Sequence, residues 1–255
     1  MDGDDPAGGE ADGGRPGGAT AVDLPRRPPL TRDRIVRAAI AFVDEHGLTA
    51  LTMRRLGREL GVEAMSLYRY VNGREDLLEA MVDDMVATLQ LRPDRDELGP
   101  ADGWQAYLQW LAHGVRALAR AHPQAFPLIA TRHPAAPWLR PPLRSLRIVD
   151  DFLDTLIARG FSDARAVAAY RAFSSFLLGH LLLEVTVLGA ETSPAEEPLD
   201  EGNSDVPNAD QQLDLQKFPH VQRLEARLSE DHSREEFERA LEDLLDRLDR
   251  EITER

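Results

Sequence analysis

Residues 51–78 read LTMRRLGRELGVEAMSLYRYVNGREDLL, and the placement of their caps and glycines decides the fold. Thr52 stands where a helix N-cap belongs, Met53, Leu56 and Leu60 recur at helical spacing, and Gly61 ends the run. A second short helix is expected from Val62 to Tyr70, closed by the turn signal Asn72-Gly73. Two short helices hinged on one glycine make a helix-turn-helix, because glycine takes the left-handed conformation that the tight turn needs. In such a unit the first helix crosses the DNA backbone and the second lies in the major groove.

The second helix needs an inward face, supplied by Val62, Leu67 and Val71, and an adaptable outward face, supplied by Ala64, Met65, Ser66 and Arg69. Arg69 has the fork that reads a guanine edge, and Met65 suits a thymine methyl. Ser66, Tyr68, Tyr70 and Arg74 suit phosphate oxygens, as does Arg54 at the start of the first helix.

Upstream, Thr31 caps a helix carrying Ile35, Ala39, Phe42 and Val43 inward, with Gly47 as its stop. Residues 1–29 are rich in Gly, Pro and Asp and poor in large apolar groups, so they are expected to be a disordered arm, with Arg26 and Arg27 at its end. Downstream, a helix over Asp76–Leu89 carries Leu77, Leu78, Met81 and Met85 on one side. After a linker, helical patterns are expected from Trp104 to His122, from Phe126 to Thr131, and after the Pro141-Pro142 pair to Gly160. Ser162 caps a long helix to about Gly189. Residues 190–212 read as a flexible loop, and Val221–Leu228 and Ser233–Ile252 as amphipathic helices. There is no strand pattern. The expected class is all-α, with a DNA-binding domain over 30–76 and a larger ligand-binding and dimerisation domain over 77–255.

With 42% hydrophobic residues the chain can bury a sizeable core. It has no Cys, so it carries neither a disulfide framework nor a thiolate metal site. The most apolar run, Phe173–Gly189, is broken by Ser, Gly, His and Glu, so no membrane span and a cytoplasmic location are expected. The net charge of −15 is uneven. Residues 31–77 hold 8 Arg against 7 acidic residues, while 200–255 hold 8 basic against 17 acidic ones. Only charge within about a Debye length (~8 Å) acts on a phosphate contact, so the acidic end does not exclude DNA. It predicts weak non-specific binding. All but one of the 30 basic residues are Arg, a bias that points to a GC-rich genome.

Phosphate loops, dinucleotide fingerprints and nucleophile elbows are lacking, so no catalytic residue, enzyme activity or cofactor is expected. His180 and Glu184 lie four apart on one helix, but two ligands are too few for a metal. His113, His122 and His133 stand alone. Trp110, Trp138, Tyr170 and Phe173 are candidates for lining a cavity as well as for ordinary core packing. A non-DNA-binding helical scaffold or ligand-binding protein, and less plainly a small-molecule enzyme, remain the rival classes.

The run Leu51–Leu78, with Leu67-Tyr68-Arg69-Tyr70-Val71 at its centre, resembles the DNA-binding domain of the tetracycline repressor (TetR) family. The resemblance implies phosphate contacts by Tyr68, Tyr70 and Arg74, and places Arg54, Ala64, Met65, Ser66 and Arg69 against the groove. It continues through Trp104-Gln105, Thr131-Arg132, Gly160-Phe161-Ser162, and Phe176 with Gly179, which look like the tetracycline-binding branch. That likeness places the effector pocket at Gln90, Val115, Leu128, Thr131, Arg132, Arg144, Val167, Tyr170 and Ser174. The branch holds drug through magnesium, but its His ligand falls here on Leu128 and its acidic residue on Leu183. Leucine cannot ligate a hard cation, so a metal-borne effector is not expected. Arg144, if inward, favours an acidic ligand. The likeness also implies repression of an operator by a homodimer, with a small molecule of unknown identity as effector. The dimer is expected to pack the stripes Leu177, Leu181, Val185, Leu188 and Phe237, Leu241, Leu244, Leu248 as a four-helix bundle across a two-fold axis.

Overall fold

The computed structural model describes residues 29–89, 103–131, 133–190 and 215–253. The expected arm, the 190–212 loop beyond Ala190, Gln90 and Arg132 lie outside them. The described residues from Thr31 onward form one compact unit. Among the described residues the secondary structure is helical throughout: α1 Arg32–His46, α2 Met53–Leu60, α3 Ala64–Leu67, α4 Arg74–Ala87, α5 Trp104–Ala121, α6 Leu146–Ala158, α7 Asp163–Val187, α8 Pro219–Leu228 and α9 Ser233–Thr253.

The caps lie where the sequence puts them. The hydroxyls of Thr31, Thr52 and Ser162 accept from the backbone N–H groups of Arg34, Arg55 and Arg165, which satisfies one orphan donor at each helix start. Gly61 is left-handed (φ 68°, ψ 34°), and its N–H returns to the Arg58 carbonyl to stop α2. α1 packs on α2 and α4, and α2 packs on α3. Ile35, Ala39, Val43, Leu56, Leu67 and Leu77 are fully buried between them.

Gly57 sets the spacing of this unit. A Cβ there would meet the Val62 carbonyl oxygen at 3.0 Å and the Ala64 N and Cα at 3.2 Å. These are backbone atoms, so α3 would have to shift away from α2. A Gly57→Ala protein is expected to lose about 1–3 kcal/mol through overpacking, despite alanine's better helix propensity. Thermal melts check this; an unchanged Tm would refute it.

Three differences from expectation have physical causes. The helix expected over Val62–Tyr70 is one turn, Ala64–Leu67, after which Tyr70 N–H bonds back to Leu67 in a tighter i→i+3 step. Val62, expected inward, is only half-buried. The helix after the Pro pair starts at Leu146, because the Arg144 N–H is taken by the Ile129 carbonyl at 3.0 Å and Ser145 supplies the cap. The third concerns the apolar stripes expected to pack across the dimer. Leu177, Leu181 and Val185 are covered within the chain, and so are Phe237, Leu241, Leu244 and Leu248, since α7 and α9 pack on each other and on α5. Leu188 is 46% exposed. By length and composition alone α7 could cross a bilayer, but it serves here as a packed helix with a buried Glu184.

Candidate DNA interface and ligand cavity

Leu67 and Val71 anchor the recognition segment from below, at 0% and 1% exposure, and so fix which side chains face out. Met65 stands 75% exposed and Tyr68 and Tyr70 are also on the surface. Arg54, Arg69 and Arg74 are exposed, while Ala64 and Ser66 are half-buried. Among the described residues Arg69 pairs with no carboxylate, so its guanidinium fork is available. Arg74 lies 4.0 Å from Glu75, a contact weakened by solvent.

Sequence reasoning missed what holds this segment against α4. Arg32 clamps Asp76 with two bonds of 2.6 and 3.1 Å and donates a third, of 2.9 Å, to the Tyr70 carbonyl. Asp76 also accepts from the Asn72 N–H at 2.6 Å. The hydrogen bonds from Arg32 and then from Asn72 hold the Asp76 carboxyl below its ordinary value. The turn that follows Tyr70 is thereby tied to α1 and α4 together. An acidic residue three places into the helix that follows Asn72-Gly73 is a capping-box signal that could have revealed it.

An apolar cavity lies under α5, α6 and α7. Phe152, Tyr170 and Phe173 form its aromatic side, with Phe152 centred 5.8 Å from Tyr170 and 5.5 Å from Phe173. Leu111, Val115, Ile129 and Leu143 close it opposite, and Ser174 contributes a hydroxyl. Its volume is about 40 Å³, room for only a few waters. Tyr170 donates its phenol to the Pro141 carbonyl at 3.1 Å. Burial pushes this phenol up to about 12, so it stays neutral.

Of the pocket residues placed by resemblance, Val115, Tyr170 and Ser174 line this cavity. Leu128 is buried but is not in the lining, and Thr131 bonds its own turn at the Leu128 carbonyl. Val167 is 38% exposed. Leu183, the position matching the branch's acidic residue, is 74% exposed. Arg144 is buried, but its guanidinium leaves the cavity for α4, donating to Glu75 at 2.8 Å and reaching Thr131 at 3.5 Å. One turn along α4, Glu79 meets His133 at 3.4 Å. His122, at the end of α5, meets Asp44 of α1 at 2.7 Å. Of the aromatic candidates Phe173 joins the lining, Trp110 stacks beside Tyr107, and Trp138 is 71% exposed. Glu184 is not half of a metal pair with His180: Arg116 and Arg120 hold it instead.

Known proteins with this architecture are numerous. Residues 35–81 match the family model for bacterial regulatory proteins of the tetR family, and residues 98–252 match the tetracyclin repressor-like C-terminal domain. The HTH-type transcriptional repressor DrrR1 of Streptomyces coeruleorubidus is 30% identical over 90% of this chain and 81% of its own length. The tetracycline repressor protein class C of Escherichia coli is 29% identical over 60% of this chain and 65% of its own. A crystal structure of a possible TetR family transcriptional regulator from Streptomyces coelicolor superposes with a TM-score of 0.61 at 30% identity, covering 85% of this chain and 98% of that one. The chain therefore belongs to the tetR family of bacterial regulatory proteins and is a DNA-binding transcriptional regulator.

Proposed function

We propose that the chain is a cytoplasmic homodimeric repressor that leaves its operator when a small molecule enters the cavity under α5, α6 and α7. The observation that carries this reading is the Arg144–Glu75 pair. It joins a cavity wall to the helix behind the recognition segment, because the Arg144 N–H bonds to the cavity-lining Ile129 and Leu143 is its neighbour. A ligand that displaces this wall draws on the first turn of α4, and with it on Arg74 and the turn that follows Tyr70. Repression is supported by the named repressors among the relatives. Modest control needs a coupling of about 1–3 kcal/mol between the two sites.

On DNA, Arg69 reads guanine, Met65 and Ala64 meet the groove floor, and Arg54, Ser66, Tyr68, Tyr70 and Arg74 hold phosphates. No catalytic step is part of this function. The two copies meet through the face of α7 that its own chain leaves open. Ser175, Gly179 and Leu183 recur there every fourth residue and are all exposed, Leu183 at 74%. A Cβ at Gly179 would meet nothing within 4 Å, so a second helix can approach closely there. Two recognition segments on such a dimer read half-sites about one helical turn apart (~34 Å).

A footprint on the DNA flanking the chain's own gene tests the reading, with Gly179→Arg alongside. The wild type is expected to protect a near-palindromic site. The open space at Gly179 spares the variant's own fold, while the inserted side chain blocks the second copy. The variant is expected to sediment as a folded monomer and to lose the footprint. A dimeric Gly179→Arg protein with full protection would place the interface elsewhere.

A further inference from the structure

We infer that the cavity takes an uncharged, largely apolar, ring-bearing molecule, bound without a metal ion or a counter-charge. This rests on the reading of the cavity as the effector site. The polar groups facing it are the Tyr170 and Ser174 hydroxyls, and the Tyr170 phenol is neutral and already donates to Pro141. Among the described residues the buried charged side chains are Arg144 and Glu184, and both are already engaged. Arg144 is turned to Glu75 at 2.8 Å, and Glu184 is clamped by Arg116 and Arg120 at 2.8–2.9 Å. A charged ligand would be stripped of water with no partner, a large penalty in an apolar site. Among the described residues that line it, a hard cation would find hydroxyls and no carboxylate, too poor a set of oxygens to hold it. These facts turn aside the acidic ligand that an inward Arg144 would have selected.

The ring preference comes from Phe152, Tyr170 and Phe173, whose tilted and edge-to-face contacts present both faces and edges to a guest. At about 40 Å³ the cavity is smaller than the ~150 Å³ cavity that accepts benzene. The guest must therefore spread the walls, and Ile129 and Leu143 are the walls that lead to Arg144. Admission and signalling are then one movement.

The test uses the full-length protein and three probes sharing one ring system: 1-naphthol, 1-naphthoate and 1-naphthylmethylammonium. Calorimetry measures binding to the wild type and to two cavity-filled variants, Val115→Phe and Leu178→Phe, each first checked for cooperative melting. The expected result is at least tenfold tighter binding of the neutral probe than of either ion, lost in whichever filled variant folds. Tighter binding of an ion, or neutral binding that survives filling, overturns the inference. The same probes are then added to the protein on its operator. Neutral binding that is lost on filling but never releases DNA supports the cavity chemistry and refutes the effector reading. Release by an ion, lost on filling, does the reverse.

Discussion

An Arg69→Ala protein is expected to keep its fold and lose its operator. The side chain is exposed and pairs with no carboxylate among the described residues, so truncation leaves no buried charge and disturbs no packing. On DNA the position carries the one long, forked donor on the outward surface of α3 and its following turn. A bidentate contact to guanine discriminates by about 1–3 kcal/mol. A two-fold dimer makes the contact twice, so specific affinity is expected to fall by roughly 30-fold to more than 10⁴-fold at fixed salt. Arg69→Lys should recover little, because an ammonium cannot offer the paired donors. Arg74→Ala provides the contrast. As a phosphate contact it weakens operator and scrambled duplex alike and lowers the salt dependence by about one counterion per contact. Titration of both duplexes at two salt concentrations separates the roles. Equal losses for Arg69→Ala on both duplexes would make it a phosphate contact, and no loss would move recognition elsewhere.

The DNA-binding half of the fold is legible because its determinants are local. Thr31 and Thr52 cap from their own sequence neighbours, as Ser162 does for α7 in the other domain, and Gly61 turns the chain by its own conformational freedom. The exposed Met65, Arg69 and Tyr68 follow from helical spacing once Leu67 is placed inward. Pairings across long separations are not legible. Glu184 finds Arg116 across 68 residues and Arg144 finds Glu75 across 69, choices made by how α4, α5 and α7 pack. The stripes on α7 and α9 show the same limit. Period alone says that Leu181 and Leu241 must be covered, but not whether the cover is the same chain or another. The cavity was partly legible through resemblance, which reached Val115, Tyr170 and Ser174. Val167, placed with them, is 38% exposed, because one residue along a helix turns a side chain by about 100°.

Glu184→Gln is expected to be the most damaging conservative change in the C-terminal domain. The carboxylate is buried in α7, with 6% of its side chain exposed. It accepts from the Arg116 Nε and Nη2 at 2.9 Å and from the Arg120 Nη1 at 2.8 Å. Arg116 is itself 11% exposed and lies 4.9 Å over the Phe237 ring, so α5, α7 and α9 meet at this point. An amide keeps the shape and removes the charge, leaving Arg116 buried without its counter-ion. Such a break costs about 3–5 kcal/mol, a fall of roughly 10 °C in Tm for a domain of this size. Acid should reproduce the loss in the wild type. Burial alone would raise the Glu184 carboxyl, but the hydrogen bonds from the two arginines outweigh it and hold it below its ordinary value. A carboxylate depressed in the folded state stabilises fully above its unfolded pKa, about 4.3, and the contribution fades as pH falls through the folded value. The Tm gap between wild type and Glu184→Gln should therefore be widest near neutrality and narrow only below about pH 4. Melts at fixed protein concentration across that range decide it, since a gap independent of pH would mean that the charge contributes nothing. The double variant Arg116→Leu with Glu184→Leu completes the argument. If the single loss reflects a stranded charge rather than lost packing, removing both partners restores much of the stability, and the two changes are far from additive.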